Sequence, residues 1–184
     1  MMTNEISVAN PKLAALYQDT TFTDVVIKCN DGIELKAHKA VLAISSEYFK
    51  TIFTGNCTKA SSCYIEADVP SSIMQKFLAL LYTGKMLKYN QSTCIRLWEL
   101  AAYYQVPELI VSMGNKCVRR TTVDNITNLL VLADKFPEHK LLNLGCFRFI
   151  KLKAVALLGN PDIIEFAGSH PAFWVKVRAF LDSK

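Results

Sequence analysis

The chain has 184 residues, 51% hydrophobic and 20% charged, a composition that can bury a core and that excludes a mainly disordered protein. The formal net charge of +5 comes from scattered lysines and arginines, and the lack of any long basic run excludes a dedicated nucleic-acid-binding arm. The first residues lack a secretory apolar core and no apolar run approaches the ~20 residues of a membrane span, so we expect an intracellular protein of the cytosol or nucleus without a membrane partner.

A short helix and a β-hairpin are predicted at the start of the chain. Apolar residues share one side of a helix over residues 11–17, which is too short to be stable without a partner surface. The β-branched segment 23–29 reads as a strand, and Asn30-Asp31-Gly32 is a strong turn signal. Residues 33–37 alternate strictly between apolar and polar, which predicts a second strand with Ile33 on its inner face.

The period then changes to that of helices, with one further strand. Apolar residues from Val41 to Phe53 recur at helical spacing, and Ser45-Ser46 before Glu47 predicts a break between two helices, the second ending at Gly55. A third strand is predicted over 63–67. Another helix begins at Pro70-Ser71-Ser72 and closes at Gly84.

Helices dominate the rest of the chain. The predicted helices are 94–104, 107–120, 124–136, 141–151, 162–167 and 172–181. Three or four early strands followed by helices indicate an α+β unit with an all-helical extension.

Cysteine and histidine spacing gives no support for a metal or catalytic site. The six cysteines contain no CxxC pair, and the three histidines are not at ligand spacing, so no zinc and no cofactor is expected. The cysteines in apolar stretches are predicted to be reduced core thiols. His38 lacks a neighbouring nucleophile and is predicted to be a hydrogen-bonded structural residue, so we do not expect an enzyme.

Four sequence motifs follow one another along the chain. In order they are Phe22–Ile27 with Leu35–Ala43, Ser45–Phe53, Leu80-Leu81-Tyr82-Thr83-Gly84, and Leu97–Gln105 with its Ala101-Ala102 pair. In this order they resemble BTB/POZ domains over about residues 13–120. Residues 121–181 resemble, by helical pattern and position, the first helical hairpins of the BACK region, or 3-box. The resemblance implies a three-stranded sheet capped by helical hairpins, with a dimerisation segment at 1–21, a BTB/POZ domain at 22–120 and a BACK-like extension at 121–184.

The resemblance also implies a dimer, formed with a second copy or with another BTB protein. Asp24 and Lys39 match a charged pair that the family places at its dimer interface, and their alternative interpretation is a local strand cap and an exposed lysine. Apolar residues of the first segment are expected to join them, with packing inside the chain as the alternative. These are Leu13, Leu16, Tyr17 and Phe22.

Many family members bind the third of the cullins and so act as substrate adaptors of a ubiquitin ligase. The positions that face the cullin in the family are occupied here by Phe53, Cys57, Lys59, Met86, Tyr104 and Gln105. The loop after Phe53 departs from the family pattern, because Cys57 stands at the hydrophobic position and Lys59 replaces an acid. A reversed charge at a polar rim lowers affinity for a basic site.

Two other functions stay open at this point. The chain could be an oligomerisation or scaffold module in transcription regulation, or a competitor of longer BTB adaptors without productive cullin binding. Adaptors of the family usually carry a MATH or kelch recognition domain, which is absent from the 184 residues, so we expect either a fragment or a short member. A tetramer-forming relative of channel assembly domains is disfavoured by the helical extension.

Overall fold

The structure is a computed structural model that describes residues 11–55, 63–85 and 88–182. Over these residues the chain forms three strands and ten helices. In chain order they are α1 (Pro11–Gln18), β1 (Val25–Cys29), β2 (Glu34–Ala37), α2 (Lys39–Ser45), α3 (Glu47–Gly55), β3 (Cys63–Ala67), α4 (Ser71–Thr83), α5 (Gln91–Tyr103), α6 (Pro107–Arg119), α7 (Ile126–Lys135), α8 (Lys140–Leu157), α9 (Pro161–Ser169) and α10 (Pro171–Asp182). The predicted α+β class with a small sheet and a helical extension is confirmed.

The sheet has the order β2-β1-β3, with β1 antiparallel to β2 and parallel to β3. Val25 pairs with Ala37 on one side and with Cys63 on the other, so the central strand is hydrogen-bonded along both edges. Alternate side chains of β1 are buried, and one of them, Ile27, has no exposed surface. The period-2 pattern of the sequence therefore sets the inner face of the sheet.

Ile33 corrects one detail of the predicted hairpin, because its side chain is 49% exposed and it precedes β2. The turn before it explains this position. The backbone N–H of Ile33 donates to the Asp31 carboxylate at 3.3 Å, and its carbonyl accepts from Cys29 at 2.9 Å. Gly32 lies between them at φ 80°, where a residue without Cβ is favoured.

The chain divides into two compact units. The first comprises Met1–Tyr89 and Arg96–Pro107, and the second comprises Asn90–Ile95 and Glu108–Lys184. The first contains the sheet, and among its fully buried side chains are Ile27, Leu42, Phe49, Phe77, Trp98 and Tyr104. The second is helical, and its most buried side chains include Met113, Ile126, Leu129, Cys146 and Phe173.

Four of the cysteines behave as the sequence predicts. Cys29, Cys94, Cys117 and Cys146 are buried free thiols. Cys63, on β3, is disulfide-bonded, which corrects the expectation of a reduced thiol at this residue. Burial raises the pKa of the Cys146 thiol to about 12, while its S–H donates to the Leu129 carbonyl at 3.6 Å.

The raised pKa of Cys146 predicts a loss of stability in alkali. The unfolded thiol ionises near pH 9, whereas the folded one stays neutral until about pH 12, so the free energy of unfolding falls as pH rises between these values. The expected loss is about 1.4 kcal/mol per pH unit from this group. Urea titrations at pH 8 and pH 10.5 should show a steeper fall for the parent than for Cys146→Ala. Equal falls in the two chains would refute the assignment.

Candidate partner-binding surfaces

Helix α1 lies against helix α4 with its apolar side only partly covered. The Tyr17 hydroxyl donates to the Gln75 carbonyl at 3.1 Å, and the ring of Tyr17 lies 5.3 Å from that of Tyr82. Leu13, Leu16 and Tyr17 are each half-buried. Packing inside the chain therefore accounts for part of this surface and leaves the rest of it accessible.

Phe22 is the most exposed large apolar side chain of the described residues, with 89% of its surface accessible. Its backbone is left-handed, at φ 63°, a conformation that costs a bulky residue about 1–3 kcal/mol. The turn that carries it is held by hydrogen bonds on both sides. The Thr21 N–H donates to the Asp19 carboxylate at 2.8 Å, and the Thr23 hydroxyl donates to the Thr20 carbonyl at 2.9 Å.

His38 ties this turn to the rest of the first unit. Its Nε2 lies 3.1 Å from the Thr21 carbonyl and its Nδ1 2.9 Å from the Tyr82 hydroxyl. Because a carbonyl can only accept, Nε2 carries the proton and Nδ1 accepts from Tyr82. The Tyr82 oxygen also accepts the His38 backbone N–H at 2.8 Å. The predicted structural, hydrogen-bonded histidine is confirmed, and it fixes the turn that presents Phe22.

Asp24 and Lys39 are in contact, but through the main chain of the lysine. The Asp24 carboxylate accepts the backbone N–H of Lys39 at 2.7 Å, which satisfies a free donor at the start of α2. The Lys39 ammonium lies instead over the ring of Phe53, 6.0 Å from its centre. Asp24 thus caps α2, and the lysine side chain reaches the end of α3.

Ile44 is an exposed residue that sequence reasoning assigned to the helical apolar pattern. Its side chain is 88% accessible, whereas Val41 and Leu42 on the same helix are buried. A helical wheel predicts this exposure. Residues two positions apart on a helix are rotated by about 200°, so Ile44 must lie opposite the buried Leu42. The side chain of Ile44 is therefore available for contact with a partner.

A cluster of aromatic rings lies at the end of α5. Tyr104 is 2% exposed and stacks on Phe49 at 4.6 Å, and the Ser46 hydroxyl donates to its carbonyl. Burial raises the pKa of the Tyr104 phenol well above its usual range. Its neighbour Tyr103 is 63% exposed and lies edge-on to it at 4.9 Å. Tyr104 is therefore placed inside the unit, and Tyr103 presents its ring outside.

The remaining predicted cullin-facing residues divide into two groups. Phe53 is half-buried and stacks on Phe49 at 5.9 Å, and Gln105 is exposed with a left-handed backbone at φ 52°. Cys57, Lys59 and Met86 lie outside the described residues. Of the predicted cullin-facing residues, the structure therefore describes Phe53, Tyr104 and Gln105.

Ser169, His170 and Asp134 are neighbours in the second unit, with Nε2 of His170 3.8 Å from the Asp134 carboxylate. The Ser169 hydroxyl donates to the Glu165 carbonyl at 2.8 Å. Nδ1 of His170 lies 2.9 Å from Ser169 and 3.2 Å from the Phe166 carbonyl, which can only accept, so Nδ1 carries the proton. A protonated Nδ1 cannot take the proton of Ser169, and the arrangement does not activate a nucleophile.

The residues that the structure describes contain neither a candidate metal site nor a membrane-spanning helix. Within 11–55, 63–85 and 88–182, no group of three or more His, Cys, Asp or Glu side chains could hold a metal ion. None of the helices described is both long and apolar enough to cross a bilayer.

Comparison with known proteins points to one family. A family model for the BTB/POZ domain matches residues 13–121. Similar curated proteins include Kelch repeat and BTB domain-containing protein 2 of Homo sapiens, 29% identical over 131 residues, which are 71% of this chain and 21% of the relative. Kelch repeat and BTB domain-containing protein 8 of Danio rerio is 26% identical over 155 residues, or 84% and 26% of the two chains. Inhibitor of Bruton tyrosine kinase of Homo sapiens is 32% identical over 142 residues, or 73% and 10%. The chain spans about a tenth to about a quarter of the length of these relatives.

Proposed function

Because the chain belongs to the BTB/POZ domain family, we propose that it is a protein-interaction adaptor that dimerises through its first unit and binds a cullin of the third type. The observation that carries the proposal is Phe22, 89% exposed on a turn that is hydrogen-bonded in place. A strained, exposed aromatic side chain on a rigid frame is suited to burial by a partner.

The dimer surface we propose combines the open side of α1 with Phe22 and Ile44. Burying a Leu, Ile or Phe side chain contributes about 1.5–3 kcal/mol, so a few such residues suffice for a stable dimer when the surfaces match. Asp24 has an indirect role in this proposal, because its carboxylate caps α2 and so orients the helix that carries Ile44. Lys39 extends toward Phe53, on the surface proposed for the cullin.

The cullin surface we propose consists of Phe53, Tyr103 and Gln105, and the family pattern of the sequence adds Cys57, Lys59 and Met86 to it. The exposed ring of Tyr103 replaces Tyr104 as the aromatic contact, since tyrosine is a frequent anchor of protein interfaces and Tyr104 is buried. The lysine at position 59 opposes binding where the family has an acid, so we expect an affinity below that of typical adaptors.

We retain the domain boundaries 1–21, 22–120 and 121–184 as part of the proposal. The last segment contributes helices α7 to α10 of the second unit, and α8 packs against both α7 and α10. This helical arrangement supports a BACK-like extension. The compartment proposed is the cytosol or the nucleus, where cullin ligases act.

Calorimetric titration of the purified chain with the N-terminal domain of the cullin tests the proposal. We expect binding in the micromolar range, weakened about tenfold or more by Tyr103→Ala. Lys59→Glu should bind more tightly than the parent, because it restores the acid of the family pattern. Tyr64→Ala is the matched control, since Tyr64 has the same ring, belongs to the same unit and is 62% exposed, against 63% for Tyr103.

Absence of heat at cullin concentrations of about 50 µM would reject cullin recruitment. If the chain still dimerises, the second candidate function is favoured, an oligomerisation module or a competitor of longer BTB adaptors. The reversed charge at Lys59 is the observation that supports this alternative. Co-expression with a longer BTB protein would then be expected to yield a mixed dimer.

A further inference from the structure

The C-terminal half of α8 presents an apolar surface to solvent that neither proposed interface uses. Leu152 is 80% exposed and Val155 84%, and Leu158, just after the helix, is 79% exposed. Every residue from Lys151 to Ala156 is exposed. The second unit buries Ile150 just before this stretch and Leu157 just after it, so the exposed stretch is anchored at both ends.

Three exposed residues of α8, two of them apolar, lie along one side of the helix before a kink. Leu141, Arg148 and Leu152 are separated by seven and four residues, spacings that return to the same helical face. Val155 follows after three more residues, beyond a kink at Lys153 where φ is −113°. We call Leu141, Arg148, Leu152 and Val155 the α8 stripe. Its spacing matches the anchor pattern of an opposing amphipathic helix.

The charge of α8 is entirely positive. Its 18 residues contain Lys140, Arg148, Lys151 and Lys153 and no Asp or Glu. Arg148 lies within the α8 stripe, and Lys151 and Lys153 flank Leu152. The Lys151 ammonium also lies over the ring of Phe180, 5.6 Å from its centre, which holds it beside the stripe.

We propose that the α8 stripe is a third interaction surface and that it binds an acidic amphipathic helix of another protein. Leucine and valine anchors with flanking cations complement a helix that carries apolar residues on one face and carboxylates beside them. A second copy of the chain would bring like charges together on this surface. A membrane is disfavoured because the exposed anchors are leucine and valine, whereas interfacial helices usually insert aromatic residues as well.

The test uses the full chain and fluorescence anisotropy with three synthetic peptides of about 18 residues, long enough for five turns of helix. The first has leucines at helical spacing flanked by glutamates, the second has lysines in place of the glutamates, and the third is a scramble of the first. We expect the acidic peptide to bind in the range of about 10–100 µM and the other two at least about tenfold more weakly. Added salt should weaken the binding.

Substitutions assign the binding to the stripe. Leu152→Glu with Val155→Glu should weaken the acidic peptide about tenfold or more, whereas Ile164→Glu, 62% exposed on α9 of the same unit, should change its affinity less than about twofold. Arg148→Glu with Lys153→Glu should transfer the preference to the basic peptide. Circular dichroism verifies that each variant is folded, and the charge-reversed chain provides a gain of binding that misfolding cannot imitate.

Four results would overturn the proposal. The first two are equal affinities for the acidic and basic peptides, and a loss with Ile164→Glu as large as that with the stripe variant. Binding to phosphatidylserine vesicles without binding of the acidic peptide would assign the surface to a membrane. Displacement of the peptide by the cullin N-terminal domain would assign the stripe to the cullin site and not to a separate partner.

Discussion

A chain carrying Phe22→Asp and Ile44→Asp is expected to be monomeric at concentrations at which the parent chain is a dimer. Both side chains are almost fully accessible in a single chain, at 89% and 88%, so their replacement removes no packing from the folded unit. In the proposed dimer both side chains become buried on each of the two protomers, so losing the four of them should cost about 6–12 kcal/mol, or a factor of about 10⁴ or more in the dissociation constant. Sedimentation equilibrium measures this change.

The thermal stability of the double variant shows whether it is correctly folded. Aspartate accepts the left-handed backbone of position 22 more readily than phenylalanine does, so the thermal stability of the monomeric unit should not fall. Ile33→Asp, at an exposed isoleucine of the same unit outside the proposed interface, should leave the dimer intact. A double variant that stays dimeric would reject this surface, and so would a parent chain that is monomeric at about 100 µM.

Tyr104→Ala is expected to destabilise the first unit by about 3–5 kcal/mol, as large-to-small substitutions of buried aromatic residues do. The ring of Tyr104 lies 4.6 Å from Phe49, 5.6 Å from Phe77 and 5.3 Å from Tyr48, so its removal leaves a cavity among other rings. Tyr103→Ala should change the free energy of unfolding by no more than about 0.5 kcal/mol, because its ring is mostly exposed.

Substitutions of the two adjacent tyrosines should therefore have different effects, on the stability of the first unit at Tyr104 and on cullin binding at Tyr103. Urea denaturation should show the large effect at Tyr104 alone, and cullin titration should show a clear loss with Tyr103→Ala in a chain of parental stability. Tyr104→Phe keeps the stacked ring and should be much milder than Tyr104→Ala. Equal destabilisation by the two alanine variants would contradict the inside and outside positions of these rings.

Local signals were sufficient to predict most of the fold. The break between α2 and α3 follows from Ser45-Ser46-Glu47, and Gly84 ends α4 in a left-handed conformation at φ 62°. Ile33 was predicted wrongly because the alternating pattern extends one residue beyond the strand that the chain forms. The Asp31 carboxylate, by accepting the Ile33 N–H, keeps that residue in the turn.

The candidate surfaces were harder to predict, because they depend on contacts between distant residues. His38 holds the Phe22 turn through Thr21 and Tyr82, and the latter is 44 residues away in the sequence. Tyr104 follows the buried Leu97 and Ala101 at helical spacing, which indicates an inward ring, whereas its family position assigned it to the cullin surface. The family motif indicates the region, and the three-dimensional positions distinguish the buried ring of Tyr104 from the exposed ring of Tyr103.

The left-handed backbone at Phe22 has a consequence for the kinetics of assembly. Because the hydrogen bonds of Thr21, Thr23 and His38 hold this turn within a single chain, the aromatic ring is already presented before any encounter. Association need not wait for a loop to rearrange, and its rate constant should lie in the ordinary range of about 10⁵–10⁷ M⁻¹s⁻¹ for preorganised surfaces. The rate at which subunits exchange between homodimers and mixed BTB dimers would then be set by dissociation. The lifetime of the first dimer formed would therefore determine which dimers a cell can assemble.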